Sequence, residues 1–264
     1  MDDHSSFTTG DGTRISYRLD GPTGAPTLVL SNSIGTSLAM WDGVIPQLAK
    51  DFRVLRHDTR GHGGSSAPAG AYSLDRLGAD VVELLDALGI DRVHFCGLSL
   101  GGFIGQWLGI HAPERVDRLI LANTSPYLGP APRWDARIAD VLAADDLSAI
   151  AESFLHNWFP DSLLTDESIV APFRRDLMSL DRRGLAGCLA AVRDADLRRT
   201  DALITSPTLV LTGADDQVCL PAHGELIAAT VRDARLVELP VVHLSNVERP
   251  DEFVRIVRGF LTQD

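Results

Sequence analysis

The segment Val93-His94-Phe95-Cys96-Gly97-Leu98-Ser99-Leu100-Gly101-Gly102 constrains this chain more than any other. An apolar, strand-forming run leads straight into a GxSxG motif, and the motif opens a helical pattern that runs to about Ala112, ahead of Pro113. In that setting Gly97 and Gly101 permit a turn so tight that side chains there would collide with the neighbouring strand and helix. The serine between them is held in a strained conformation with its hydroxyl at the carboxyl edge of a sheet. Ser99 is the candidate nucleophile, and the chain is expected to be an α/β protein.

The remaining pattern agrees. Strand-like runs span Thr13 to Leu19, Thr27 to Ser31, Arg53 to His57, Val93 to Cys96, Arg118 to Ala122, Thr208 to Thr212 and Arg235 to Leu239. They alternate with helical patterns, as in a mostly parallel central sheet flanked by helices. Between Ser73 and Gly89 the residues Leu74, Leu77, Val81, Leu84, Leu85 and Leu88 fall on one helical face, with Ser73 and Gly89 as caps. Pro250 starts a last helix carrying Phe253, Ile256, Val257 and Phe260 on one side. From Pro126 to Arg199 the alternation breaks into several short helices, with Pro130, Pro132, Pro160 and Pro172 between them. This stretch, 126–199, reads as a helical cap inserted after the sixth strand, with 1–125 and 200–264 forming the core. A chain of 264 residues that is 45% hydrophobic can bury that one core.

A serine hydroxyl attacks only when a base accepts its proton, and that base is in turn oriented by an acid. Two histidines follow residue 200: His223, at an expected helix start, and His243, on the loop after the last strand. The loop position makes His243 the choice. His57, His62, His94 and His111 are read as core or turn residues. For the acid, Thr212-Gly213-Ala214-Asp215-Asp216 closes the preceding strand and offers two carboxylates. One oxyanion donor follows from the turn itself, the NH of Leu100 at the new helix's N-terminus.

Other chemistries fit poorly. A net charge of −12 disfavours nucleic acid as a partner. No window approaches the length of apolar chain a membrane span needs, and Met1-Asp2-Asp3-His4-Ser5-Ser6 is polar where a secretory leader is basic and then apolar. A cytosolic location is expected. Cys96, Cys188 and Cys219 are odd in number and widely spaced, so they are read as buried free thiols rather than a disulfide or zinc set. The glycine-rich loop His57 to Ser66 lacks both phosphate-loop spacings and is read as a turn held by Arg60. No metal and no organic cofactor is expected, since serine chemistry supplies its own nucleophile and proton carrier. The cap carries Arg133, Arg137, Arg174, Arg175, Arg182, Arg183, Arg193, Arg198 and Arg199, a concentration able to line a site for an anion, with most of them attributable to solvated helix faces.

The Asp58-Thr59-Arg60-Gly61-His62-Gly63 loop, the Ser99 elbow, Asp216 and His243 together make the chain resemble the α/β-hydrolases over nearly its whole length. Asp216 stands three residues after Gly213, where that family usually carries its acid. Ser31-Asn32-Ser33-Ile34-Gly35-Thr36 replaces the His-Gly pair of most members, and by register Ile34 NH is the second oxyanion donor. More narrowly, this segment with Trp41, the run His243 to Glu248, and the cap stretches Gly187 to Leu189 and Val192 to Arg198 resemble the 3-oxoadipate enol-lactonases. Leu185 departs from the aromatic residue expected there, and nothing after Asp264 suggests the fused form of the enzyme.

That resemblance implies a carboxylic ester hydrolase that opens a small anionic enol-lactone to 3-oxoadipate in aromatic-compound catabolism. The free carboxylate needs a partner, and Arg133 beside Trp134 at the start of the cap is the candidate. A general carboxylesterase, a carbon–carbon bond hydrolase acting on ring-cleavage products and a ligand-binding receptor on a hydrolase fold remain as alternatives. Whether the chain works as a monomer or a homo-oligomer is left open.

Overall fold

The structure is a computed structural model that describes residues 5–263. Met1 to His4, part of the leader reading, and Asp264 lie outside it. Among the described residues no helix is long and apolar enough to cross a membrane.

One eight-stranded sheet organises the molecule: β1 (Ser5–Thr8), β2 (Arg14–Asp20), β3 (Thr27–Ser31), β4 (Arg53–His57), β5 (Val93–Leu98), β6 (Val116–Ala122), β7 (Thr208–Gly213) and β8 (Arg235–Leu239). Their order is β1-β2-β4-β3-β5-β6-β7-β8. The β1–β2 and β2–β4 pairings are antiparallel and the rest are parallel. The seven strands read from sequence all form, with ends moved by a residue or two. The eighth, β1, had no visible signal. Its four residues are mostly exposed and pair only with β2 at the sheet edge, so they carry no alternation of buried and exposed positions.

Alternation along the central strands divides the core between the two faces of the sheet. Leu28 and Leu30 pack into one apolar cluster and Val29 into the other; Cys96 and Leu98 oppose Phe95 in the same way. Helices α1 (Ile45–Leu48), α2 (Leu74–Ala87) and α3 (Leu100–His111) belong to the first half of the chain. Helix α2 is capped by Ser73 Oγ, which accepts from Arg76 N at 3.2 Å, and it buries Leu77, Val81, Leu84 and Leu85 as expected.

Between β6 and β7 the chain is helical: α4 (Ala131–Ala143), α5 (Ser148–Trp158), α6 (Asp161–Leu164), α7 (Glu167–Ser179) and α8 (Arg182–Asp194). Pro130 and Pro160 immediately precede α4 and α6, and Pro132 lies in the first turn of α4. Pro172, expected between helices, lies inside α7. One lost backbone hydrogen bond is outweighed there by burial of Val170, Phe173 and Leu177. These helices share the core beneath them, because Trp158, Leu177, Leu185 and Leu189 join Leu30 and Leu98 in a single cluster. After β7 come α9 (Pro221–Thr230), α10 (Ser245–Glu248) and α11 (Pro250–Leu261).

Where the chain returns from these helices to the sheet, Asp201 is fully buried and neither carboxylate oxygen has a hydrogen-bond partner among the described residues. Burial pushes its pKa up to about 7 from 3.8. The folded state therefore keeps a proton that the unfolded chain loses, and stability falls as pH rises from about 4 to about 7 and is level above that. At about 1.4 kcal/mol per pKa unit, the loss is on the order of 4 kcal/mol. Asp201→Asn, which cannot ionise, is expected to raise the melting temperature at pH 8 and to change it little at pH 4. Equal shifts at both values would rule out ionisation as the cause.

Candidate active site

Ser99 closes β5 and opens α3 with φ 56° and ψ −113°, a conformation non-glycine residues rarely adopt. The flanking glycines show why the turn is possible. A Cβ on Gly97 would lie 2.0 Å from Gly101 O, and one on Gly101 would lie 2.1 Å from Ser31 O in β3. The strained backbone is pinned on both sides: Ser99 N donates to Ala122 O at 3.0 Å, and Thr124 Oγ1 donates to Ser99 O at 2.7 Å.

The carboxyl ends of β7 and β8 bring up the other two side chains. Asp216 Oδ2 lies 2.8 Å from His243 Nδ1, and both residues are fully buried. The other oxygen, Oδ1, accepts from Val218 N at 2.8 Å and Cys219 N at 2.9 Å, so the carboxylate can turn neither way. Asp215 is exposed and forms no side-chain hydrogen bond or ion pair with the histidine among the described residues, so Asp216 is the carboxylate the fold brings to His243. His243 N donates to Trp158 O at 3.3 Å, and Glu248 Oε2 accepts from Val242 N at 2.9 Å, which holds the histidine loop from two directions. His243 Nε2 is buried with no partner among the described residues, and His243 and Ser99 line the same cavity. His223 also lines it, with its pKa lowered by burial, but forms no bond to Asp216.

Two backbone donors are available beside Ser99. The NH of Leu100 belongs to the first residue of α3 and has no acceptor within the helix. The NH of Ile34, in the turn after β3, makes no hydrogen bond among the described residues, and Ile34 lines the cavity.

That cavity, about 340 Å³, is lined in part by helices of the segment between β6 and β7. Arg133, Trp134 and Arg137 of α4 line it, with Phe154 and Trp158 of α5. Trp134 turns its indole NH away to Leu128 O. Arg133 is exposed, whereas Arg137 is half-buried with its guanidinium 4.8 Å above the Phe154 ring. Arg137 forms no ion pair among the described residues, and burial followed by the charge of Arg133 lowers its pKa. The cavity wall thus carries two cations, Arg133 and Arg137, with no ion pair among the described residues.

The sequence profile of the α/β hydrolase fold matches residues 26–250. The chain belongs to the α/β hydrolase family. A crystal structure of a hydrolase from Pseudomonas aeruginosa PA01 is 58% identical and superposes with a TM-score of 0.98, covering 99% of each chain. An enol-lactonase from Burkholderia xenovorans LB400 is 39% identical with a TM-score of 0.95 and covers 98% of this chain and 100% of that one. By sequence, 3-oxoadipate enol-lactonase 2 of Acinetobacter baylyi is 39% identical, covering 96% of this chain and 95% of its own. A protein of Stutzerimonas stutzeri provisionally designated a carbamate hydrolase is 31% identical, covering 90% and 92%. This chain is therefore a hydrolase.

Several residues of this hydrolase's site had escaped the sequence reading. Asn123, at φ 43° after β6, donates through Nδ2 to Asp216 Oδ2 and to Val242 O, both at 3.2 Å. Arg137 was one of nine cap arginines, and only its place beside Phe154 sets it apart. Leu185, where an aromatic residue was expected, is fully buried in the core and takes no part in lining the cavity. The three cysteines are buried free thiols, as expected. Arg60 holds the glycine-rich loop by a bidentate pair with Asp80, both contacts at 2.6 Å, and by Asp11 at 2.9 Å.

Proposed function

We propose that this hydrolase opens the ring of 3-oxoadipate enol-lactone, with Ser99 as nucleophile, His243 as general base and acid, Asp216 as the orienting carboxylate and the NH groups of Ile34 and Leu100 as the oxyanion hole. The observation that carries the substrate reading is the unpaired, half-buried Arg137 facing the same small cavity as Ser99. A compact lactone with one carboxylate arm fits a cavity of about 340 Å³, and its charge answers Arg137, with the more exposed Arg133 and with Trp134 alongside. The 39% identity to enol-lactonases supports the same reading.

Ser99 Oγ bonds to the lactone carbonyl carbon while His243 Nε2 takes its proton, and the carbonyl electrons move onto an oxyanion held by the two NH groups. Collapse breaks the ring C–O bond, and the leaving enol oxygen takes the proton back from His243. Water, deprotonated by His243, then releases the acid from Ser99, and the enol ketonises to 3-oxoadipate. The enol oxygen leaves more readily than a simple alkoxide, which favours ring opening.

The test is turnover of the enol-lactone beside p-nitrophenyl acetate and a neutral carbamate. Lactone turnover is expected to exceed both by orders of magnitude. Arg137→Ala should lower kcat/KM for the lactone roughly 30-fold to 1,000-fold, the cost of leaving a buried carboxylate unpaired, while changing ester turnover only a few-fold. Arg133→Ala should cost less, because solvent screens an exposed charge. Brisk ester or carbamate hydrolysis with slow lactone loss, or equal Arg137→Ala effects on charged and neutral substrates, would refute the assignment.

A further inference from the structure

The proposed oxyanion donor Ile34 NH is a main-chain group, yet two buried side chains hold the peptides before and after Ile34, the first of which contains that NH. Thr36 Oγ1 donates to Ser33 O at 2.8 Å, and Thr36 N reaches the same oxygen at 3.3 Å. In a planar trans peptide the C=O and N–H point in opposite directions, so anchoring Ser33 O aims Ile34 NH. One peptide later, Gly35 N donates to Nε2 of His62 at 2.8 Å. An accepting Nε2 carries no proton, which places the ring proton on Nδ1, beside Arg60 O at 3.3 Å and 3.9 Å from Cys188 Sγ of α8. Thr36 and His62 are each 1% exposed. Burial also pushes the His62 pKa down to about 4, so the accepting form persists at neutral pH. On the cap side the turn cannot drift outward. Gly35 has φ 85°, and a Cβ there would lie 2.8 Å from Leu177 and 3.1 Å from Trp158.

We propose that His62 and Thr36 are positioning residues for the reaction, fixing the two peptides that flank Ile34 so that its NH meets the developing oxyanion. The proposal rests on the reading of Ser99 as nucleophile and Ile34 NH as oxyanion donor. His62 does not line the cavity; its action passes through the Gly35 peptide.

Three variants separate this role from general support of the fold. His62→Leu removes the acceptor at similar volume, Thr36→Val removes the hydroxyl isosterically, and His62→Gln returns an acceptor oxygen near the place of Nε2. With p-nitrophenyl acetate, His62→Leu and Thr36→Val are expected to lower kcat about 10- to 100-fold, the scale of a small misplacement of a catalytic group, with KM within about two-fold. Affinity for butylboronic acid, which adds to Ser99 as a tetrahedral anion, should fall by the same factor, and His62→Gln should recover most of both. Nitrogen-15 NMR of the wild type should show His62 with its proton on Nδ1.

Folded variants with wild-type kcat and boronate affinity would overturn the proposal. So would losses in kcat matched by an equal rise in KM, or an Nε2-protonated His62. If His62→Leu does not fold, Thr36→Val and His62→Gln decide. A wild-type protein that never binds the boronate would instead overturn the Ser99 reading and this proposal with it, whereas boronate binding insensitive to all three variants would overturn this proposal alone.

Discussion

Ser99→Ala is expected to lower turnover by about 10⁴- to 10⁶-fold while leaving fold and ligand affinity intact. The three cysteines cannot take over. Cys96, Cys188 and Cys219 are fully buried with thiol pKa values pushed up by that burial, so none offers a thiolate. Without an oxygen on residue 99, what remains is binding and the two proposed oxyanion NH groups, which would polarise the carbonyl but make no covalent bond. Alanine should relieve none of the tightness of the turn, because that arises from the closeness of Gly97 to Gly101 and of Gly101 to Ser31, so the melting temperature should move little. The check is steady-state turnover together with labelling by a serine-reactive phosphonate, read as a mass shift. A variant that keeps more than about one part in a hundred of the activity would remove Ser99 as nucleophile. A wild-type protein that is never labelled at Ser99 would favour a ligand receptor.

Asp216→Asn is expected to cost about 10⁴-fold in kcat with the structure unchanged. The reason lies in its three kinds of partner. Val218 N and Cys219 N both donate to Oδ1, so an asparagine must keep its carbonyl oxygen there and turn its NH₂ toward His243 Nδ1 and Asn123 Nδ2. Facing a donor, His243 Nδ1 must give up its proton and become the acceptor, which moves the ring proton to Nε2. The nitrogen that should accept the Ser99 proton is then already occupied. Asp215→Asn, at an exposed position outside this network, should stay within about two-fold of wild type. An Asp216→Asn enzyme within ten-fold of wild type, or an Asp215→Asn enzyme that fails, would reverse the assignment.

Much of this site was legible because its chemistry is bound to local chain geometry. The elbow announces itself over ten residues: a strand, a turn that admits only glycine at two positions, and a helix. His243 and Asp216 could be sought at strand ends, because a parallel sheet delivers all its carboxyl ends to one edge. Asp215 and Asp216 are another matter. Adjacent residues of the same type differ only in direction, and direction follows from the bonds to Val218 N and Cys219 N.

Arg137 illustrates the same limit in the cap. Spacing on α4 cannot tell it from Arg133, since both reach the cavity, and only the packing of Phe154 of α5 beneath its guanidinium makes one half-buried and leaves the other in solvent. His62 was read as a core or turn residue, and its partner lies 27 positions earlier in the chain. Nothing in the residues between them encodes that bond.

By itself, then, the sequence determined the mostly parallel α/β core and the tight turn at Ser99, because periodicity and steric exclusion act over a few neighbouring residues. The resemblance named Asp216, but only the tertiary structure shows the bonds that turn it toward His243, which arginine faces the cavity half-buried, and what holds the turn carrying Ile34. Those outcomes depend on contacts between segments brought together by burial of a shared core, and hydrogen bonds that close such distances leave no trace in local spacing.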